Sequence, residues 1–185
     1  TLCALRRRGY TPSSIIEFVK KAGVSKAYSI VDIGLLEHCV RDELNFSAQR
    51  RVAVIDPIKV VIDNYPKDKT EYFEAINNPN DENAGTRRLP FTRTLYIERA
   101  DFKTEKAPKF FRLYPENEVR LMNAYIIKCT GFETDENGNV TLIHAEADLE
   151  TGSNMPADGR KVKGTIHWVS ADHCIDAQIV KYDRL

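Results

Sequence analysis

Basic side chains set among aromatic rings are the residues of this sequence that could carry chemistry. Lys109, Arg112 and Arg120 sit among Phe110, Phe111 and Tyr114. Arg6-Arg7-Arg8 and Lys20-Lys21 flank a predicted helix, Arg50-Arg51 opens a region of strand periodicity, and Arg87-Arg88 follows a polar stretch. Splayed bases stack on rings while guanidinium forks pair with phosphates or base edges, so the pattern suits single-stranded RNA. A plain β surface, rings inward and charges outward, produces the same pattern, and the pattern alone does not separate the two.

A second group, His167, Ser170, Asp172, His173 and Cys174, crowds enough titratable and nucleophilic side chains together to suggest hydrolysis. The string HWVSADHCID reads as a strand whose residues alternate between faces, and it has no GxSxG elbow, so no catalytic residue is expected. His38 and His144 read as isolated, structural or solvated. Neither GxxxxGK nor GxGxxG occurs, so the chain alone should not bind ATP. Cys3, Cys39, Cys129 and Cys174 form no CxxC pair, which indicates neither a metal site nor a redox motif and leaves reduced thiols as the expected state.

The chain has 185 residues with 42% hydrophobic content, enough for one ordinary core or a small helical unit beside a β domain. Its 27 basic and 27 acidic groups cancel. Affinity for a polyanion must therefore come from placement, which excludes a histone-like bulk binder. No run of about 18 apolar residues could span a membrane, and the opening TLCALRRRGY is too short in its apolar part for a signal peptide. Cytoplasmic location is the expectation. The start at Thr1 and the closing IVKYDRL, a strand stopped in mid-course, read as cuts.

Two helices should position the first basic groups. Thr11-Pro12 gives an N-cap and a first-turn proline, Ile15, Phe18 and Val19 form a stripe, and Gly23 ends the helix. Ser29 and Asp32 give capping-box spacing ahead of Ile33, Leu36, Val40 and Leu44. After Asn45 the period becomes strand-like, predicting strands at 51–55, 58–62, 94–98, 109–113, 119–130, 140–147, 161–169 and 175–182. Asp135-Glu136-Asn137-Gly138 signals a hairpin, and Pro66 to Pro90 reads as one long ordered loop. The predicted class is mainly β with an N-terminal helical subdomain over residues 1–46 and an antiparallel β-barrel region over 47–185.

The strings LRRRGYTPSSIIEFVKKAGVSK, AVIDPIKVVIDNY, NNPN with GTRRLPF, and DGRKVKGTIHWVS followed by YDRL resemble glutaminyl-tRNA synthetases of class I over essentially the whole chain. The resemblance implies a helical connector and ribosomal L25-like anticodon-binding barrels, incomplete at the C-terminus. It also implies a parent enzyme joining glutamine to its tRNA with ATP and Mg2+, on a Rossmann domain whose HIGH and MSK signatures are absent from this chain. The implied partners are glutamine tRNA, at its anticodon loop and inner stem, and that catalytic domain, in a monomer.

By the same resemblance, Asn45, Arg50 and Asn80 match anticodon-loop contacts. Arg112 matches an arginine on the third anticodon base, where a guanidinium fork suits a G. Arg120 matches a basic residue near the first base. Lys109 stands where other members carry glutamine, and Met122 where a bacterial relative carries arginine. Lys26 and Asp32 match positions against the minor groove of the inner stem. The alternative is a stand-alone L25-like RNA-binding barrel without ligase activity.

Overall fold

The structure is a computed structural model that describes residues 1–26, 28–156 and 158–182. It divides into two compact units, Thr1–Arg50 with Ile76–Gly85, and Arg51–Ala75 with the chain from Thr86 onward.

The first unit holds α1 (Leu2–Arg7), α2 (Pro12–Ala22) and α3 (Ile33–Ser47). In α2 every predicted signal operates: the Thr11 side chain accepts from Ser14 N, Pro12 occupies the first turn, and Gly23 closes the helix at φ 72°. The six-residue α1, with Thr1 as its cap, is an addition to the two helices expected. Asp32, and not Ser29, caps α3, its carboxylate accepting from Gly34 N at 2.6 Å. Glu43 fastens α3 to the start of α2 by accepting from Thr11 Oγ1 and from Ser13 Oγ at 2.7 Å. Those hydroxyls, Thr11 first, hold the Glu43 carboxyl below its ordinary value. Residues 76–85 belong to the same unit as a polar loop with a 3-10 turn, Glu82–Ala84, capped by Asp81.

The second unit is a barrel-like sheet. Its strands are β1 (Pro57–Ile62), β4 (Thr94–Glu98), β5 (Glu118–Leu121), β6 (Ile126–Thr134), β7 (Val140–Asp148), β8 (Thr165–Ile166) and β9 (Trp168–Ser170), in the order β8-β5-β6-β7-β1-β4-β9. The two ends of that order, β8 and β9, are separated along the chain only by His167. One interrupted strand therefore pairs with β5 on one side and β4 on the other, and nearly closes the barrel. Contrary to an all-antiparallel barrel, β1–β7 and β5–β8 pair in parallel. Thr130 is skipped in the β6–β7 register, a bulge that bends the long hairpin made by the predicted Asp135–Gly138 turn.

Alternation of exposed and buried residues along β1 turns Ile58, Val60 and Ile62 inward, where Leu95, Ile97, Leu121, Ile127 and Ile143 meet them. A two-stranded ribbon, β2 (Glu71–Ile76) with β3 (Thr86–Phe91), adds Phe73 and Leu89 to this core. Phe91 is fully buried, with the rings of Tyr65, Phe73, Tyr125 and Trp168 at 5.0 to 5.8 Å in edge-on contact.

Three of the expected strands and the expected long loop are not seen as predicted. The amides of Ile55 and Asp56 are taken by the Glu98 carboxylate, both at 2.9 Å, so Arg51–Ile55 does not join the sheet. The long loop expected from Pro66 to Pro90 contains β2 and β3. Lys109–Leu113 is irregular, with Lys109 at φ 59° and only Leu113 making an isolated bridge to Phe102. Residues 175–182 form no strand, and the last three residues of the YDRL string lie outside the described residues.

Candidate nucleic-acid interface

In the first unit the structure brings Asn45, Arg50 and Asn80 together. Asn45 lies in the last turn of α3, where carbonyls lack intrahelical partners and carry the negative end of the helix dipole. The Arg50 guanidinium occupies that end, donating from Nη2 to Asn45 Oδ1 at 2.7 Å and to Asn45 O at 3.1 Å. Asn80 Nδ2 donates to the same Asn45 carbonyl at 3.2 Å. The loop is itself braced, with Asn77 Nδ2 on Ala84 O at 2.9 Å and Arg50 N on Asn77 O at 2.6 Å. The result is a preset group of amide and guanidinium side chains at a helix end, chemistry suited to base edges and phosphates.

Lys26 and Asp32 are not part of that cluster. Both are exposed in the connection between α2 and α3. Asp32 caps α3, roughly 20 Å along the helix from Asn45, and its carboxylate is engaged by Gly34 N.

In the second unit, Lys109 lines a recess of about 890 Å3 walled by Lys106–Phe111, Tyr114, Glu116–Glu118, Lys128 and Lys161–Gly164. Its five lysines outnumber its two glutamates, and Glu116 is already paired with Lys128 at 2.6 Å, so an anion entering it meets net positive charge. Phe111 is 55% exposed with Lys163 Nζ at 5.4 Å from its ring centre, a face on which a base can stack. Lys109 holds a left-handed backbone that non-glycine residues adopt at a cost of about 1–2 kcal/mol. Such strain concentrates at ligand-holding loops.

Arg112 and Arg120 are anchored by protein groups. Arg112 is ion-paired with Asp101, whose carboxylate is 5% exposed while the guanidinium is half exposed. Arg120 donates to the carbonyls of Ala124 at 3.1 Å, Gly152 at 3.3 Å and Asn154 at 2.7 Å, bracing the turn after β7. Met122 presents a partly exposed side chain, while its carbonyl accepts from Trp168 Nε1 at 3.0 Å.

The HWVSADHCID segment is split by burial: Ser170 Oγ is paired with Thr92 Oγ1 at 2.7 Å in the interior, while His167, Asp172, His173 and Cys174 are exposed. His144 is less isolated than its place in the sequence suggests, lying between Asp63 and Glu133 at 3.1 Å from each. Glu133 first, then Asp63, hold its pKa above the ordinary value against the opposing effect of burial.

Sequence reasoning missed Lys128, Lys161 and Lys163 in the recess, and Asn78 in the loop. Lys161 and Lys163 stood in plain view in GRKVKG and Lys128 in the β6 sequence, but only the fold shows that they line one recess with Phe111. Arg160 sets that wall, with its guanidinium on Glu118 at 3.0 Å, Asp148 at 2.5 Å and Asp158 at 2.8 Å. Gly164 lets it close, since a Cβ there would run into the Phe111 carbonyl.

Residues 48–148 match the family described as tRNA synthetases class I (E and Q), anti-codon binding domain. The whole chain is 52% identical to a glutamine–tRNA ligase of Alteromonas mediterranea, covering 33% of that protein. It is 53% identical to ligases of the same name from Bradyrhizobium diazoefficiens and Clostridium perfringens, covering 33% and 34% of them. The chain thus spans about a third of the length of the curated relatives it matches.

Proposed function

Because the chain belongs to the anticodon-binding domain family of the class I tRNA synthetases for glutamate and glutamine, we propose that it reads the anticodon loop of glutamine tRNA for a ligase that charges that tRNA. The observation that carries this reading is the preset Asn45–Arg50–Asn80 group at the end of α3. The lysine and phenylalanine recess beside Lys109 supplies a second surface of suitable chemistry. Arg112 would offer its fork to the third anticodon base by releasing or sharing Asp101, and Arg120 would act near the first base from its anchored position. Lys26 and Asp32 are assigned to the inner stem, where a carboxylate can accept from the G N2 amine.

The finer architectural assignment, an L25-like barrel, is part of the proposal. So are the monomeric state, the cytoplasmic location and a catalytic Rossmann domain in the same protein. No helix among the described residues is long and apolar enough to cross a membrane. ATP and Mg2+ serve the joining reaction in the complete ligase, and no residue of this chain is assigned to hold them.

Wrong bases would be rejected because they leave these polar groups without partners, at about 1–3 kcal/mol per mismatch. The test is the affinity of the full-length protein for glutamine tRNA and for the same tRNA altered at the second or third anticodon base. A loss of about tenfold or more per change is expected. Equal affinities would refute the reading.

A further inference from the structure

Asn78 is a polar side chain only 2% exposed, and both ends of its amide are in use. Its Nδ2 faces three carbonyls at the close of α3, Asn45 at 3.2 Å, Phe46 at 2.9 Å and Ala48 at 3.0 Å. Its Oδ1 accepts from Asn80 N at 2.9 Å. A helix end needs donors for its last carbonyls, and here one arrives from a loop 30 to 33 residues away in sequence. Pro79 follows directly and restricts the backbone of Asn78 to extended conformations, so the amide is held in place from its own side as well.

We propose that Asn78 is a positioning residue for RNA recognition, which rests on the tRNA reading above. Its buried amide joins the polar loop to the end of α3 and so makes Asn45, Arg50 and Asn80 one surface. The Asn45 carbonyl is the shared point, receiving Arg50, Asn78 and Asn80. Arg50 occupies Asn45 Oδ1, so the orientation of the Asn45 amide is set as well. Without the Asn78 amide the loop loses its hold on the helix, and Asn80 loses the bond that fixes its backbone. Asn78 itself, being buried, touches no base.

The test is a double-mutant cycle in the full-length protein, measuring the Kd for glutamine tRNA and for an anticodon-altered tRNA. Asn78→Ala is expected to raise the Kd for glutamine tRNA about tenfold and to narrow the preference between the two tRNAs. In an Arg50→Ala background the same change should cost less than about threefold more, because the surface it organises is already broken. Thermal melts report folding, and if Asn78→Ala does not fold, Asn78→Ser, which keeps one donor, is read by the same two criteria. Unchanged affinity in the Asn78 variant, or full multiplication of the two effects, would overturn the proposal while leaving the tRNA reading intact. Wild-type affinity in Arg50→Ala alone would overturn the reading, and this proposal with it.

Discussion

Among the apolar side chains of α1–α3 only Leu36 and Cys39 are buried, whereas in the barrel Val60, Ile62, Leu95, Ile97, Leu121 and Ile127 are wholly shut away from solvent. The helical unit is instead held by directional bonds: Glu43 on Thr11 and Ser13, Asn78 on the end of α3, and Arg50 on Asn45. Candidate RNA groups in the barrel stand on a scaffold fixed by packing; those of the helical unit stand on one fixed by hydrogen bonds. Packing tolerates loss of a single polar contact, while a hydrogen-bonded joint depends on each donor and its angle. The two regions should therefore fail differently.

The largest effect is expected where packing is densest. Phe91→Ala removes the ring around which Tyr65, Phe73, Tyr125 and Trp168 are arranged and should cost about 3–5 kcal/mol in urea unfolding. A loss under about 1 kcal/mol would show that the cluster is not the barrel's keystone. An intermediate effect is expected in the helical unit. Thr11→Ala removes both the cap of α2 and a ligand of Glu43 and should lower helical stability by about 1 kcal/mol, measured by circular dichroism melts. If it destabilised the barrel instead, the division between the two regions would be wrong.

A smaller effect sharpens the comparison from the polar side of the barrel. His144 gains two carboxylate partners on folding, so its pKa is raised. A raised folded-state value means that the contribution is fully present below the unfolded value of about 6.5 and disappears as pH climbs through the folded value. The pair is partly exposed and screened, so the amount is a few tenths of a kcal/mol. Stability of the wild-type protein should decline over that window, and His144→Gln should remove that part of the decline. An unchanged pH profile in the variant would show that the Asp63–His144–Glu133 bridge contributes nothing.

What could be read in the sequence follows from the range of the forces involved. Thr11-Pro12, Gly23 and Asp135–Gly138 act within a few residues of themselves, and they mark α2 and the β6–β7 turn correctly. Phe110 and Phe111 with flanking charges look like a strand, but the left-handed Lys109 turns them into a recess wall. Arg51–Ile55 has strand-like alternation, yet Glu98, more than 40 residues on, captures the amides that a strand would need. The polar residues of 66–90 conceal β2 and β3 because Phe73 and Leu89 pack, half-buried, against a core assembled from elsewhere. At the candidate site, Asn45, Arg50 and Asn80 came from family resemblance. That they touch, and that Asn78 joins them, depends on a loop returning to a helix end.

The most direct check of the central claim is hydrogen exchange of the full-length protein with and without glutamine tRNA. Amides of 76–85 and of 106–120 should both be slowed by that tRNA, and both should lose much of the protection when the anticodon is altered. Protection confined to other segments while the tRNA remains bound would contradict the account.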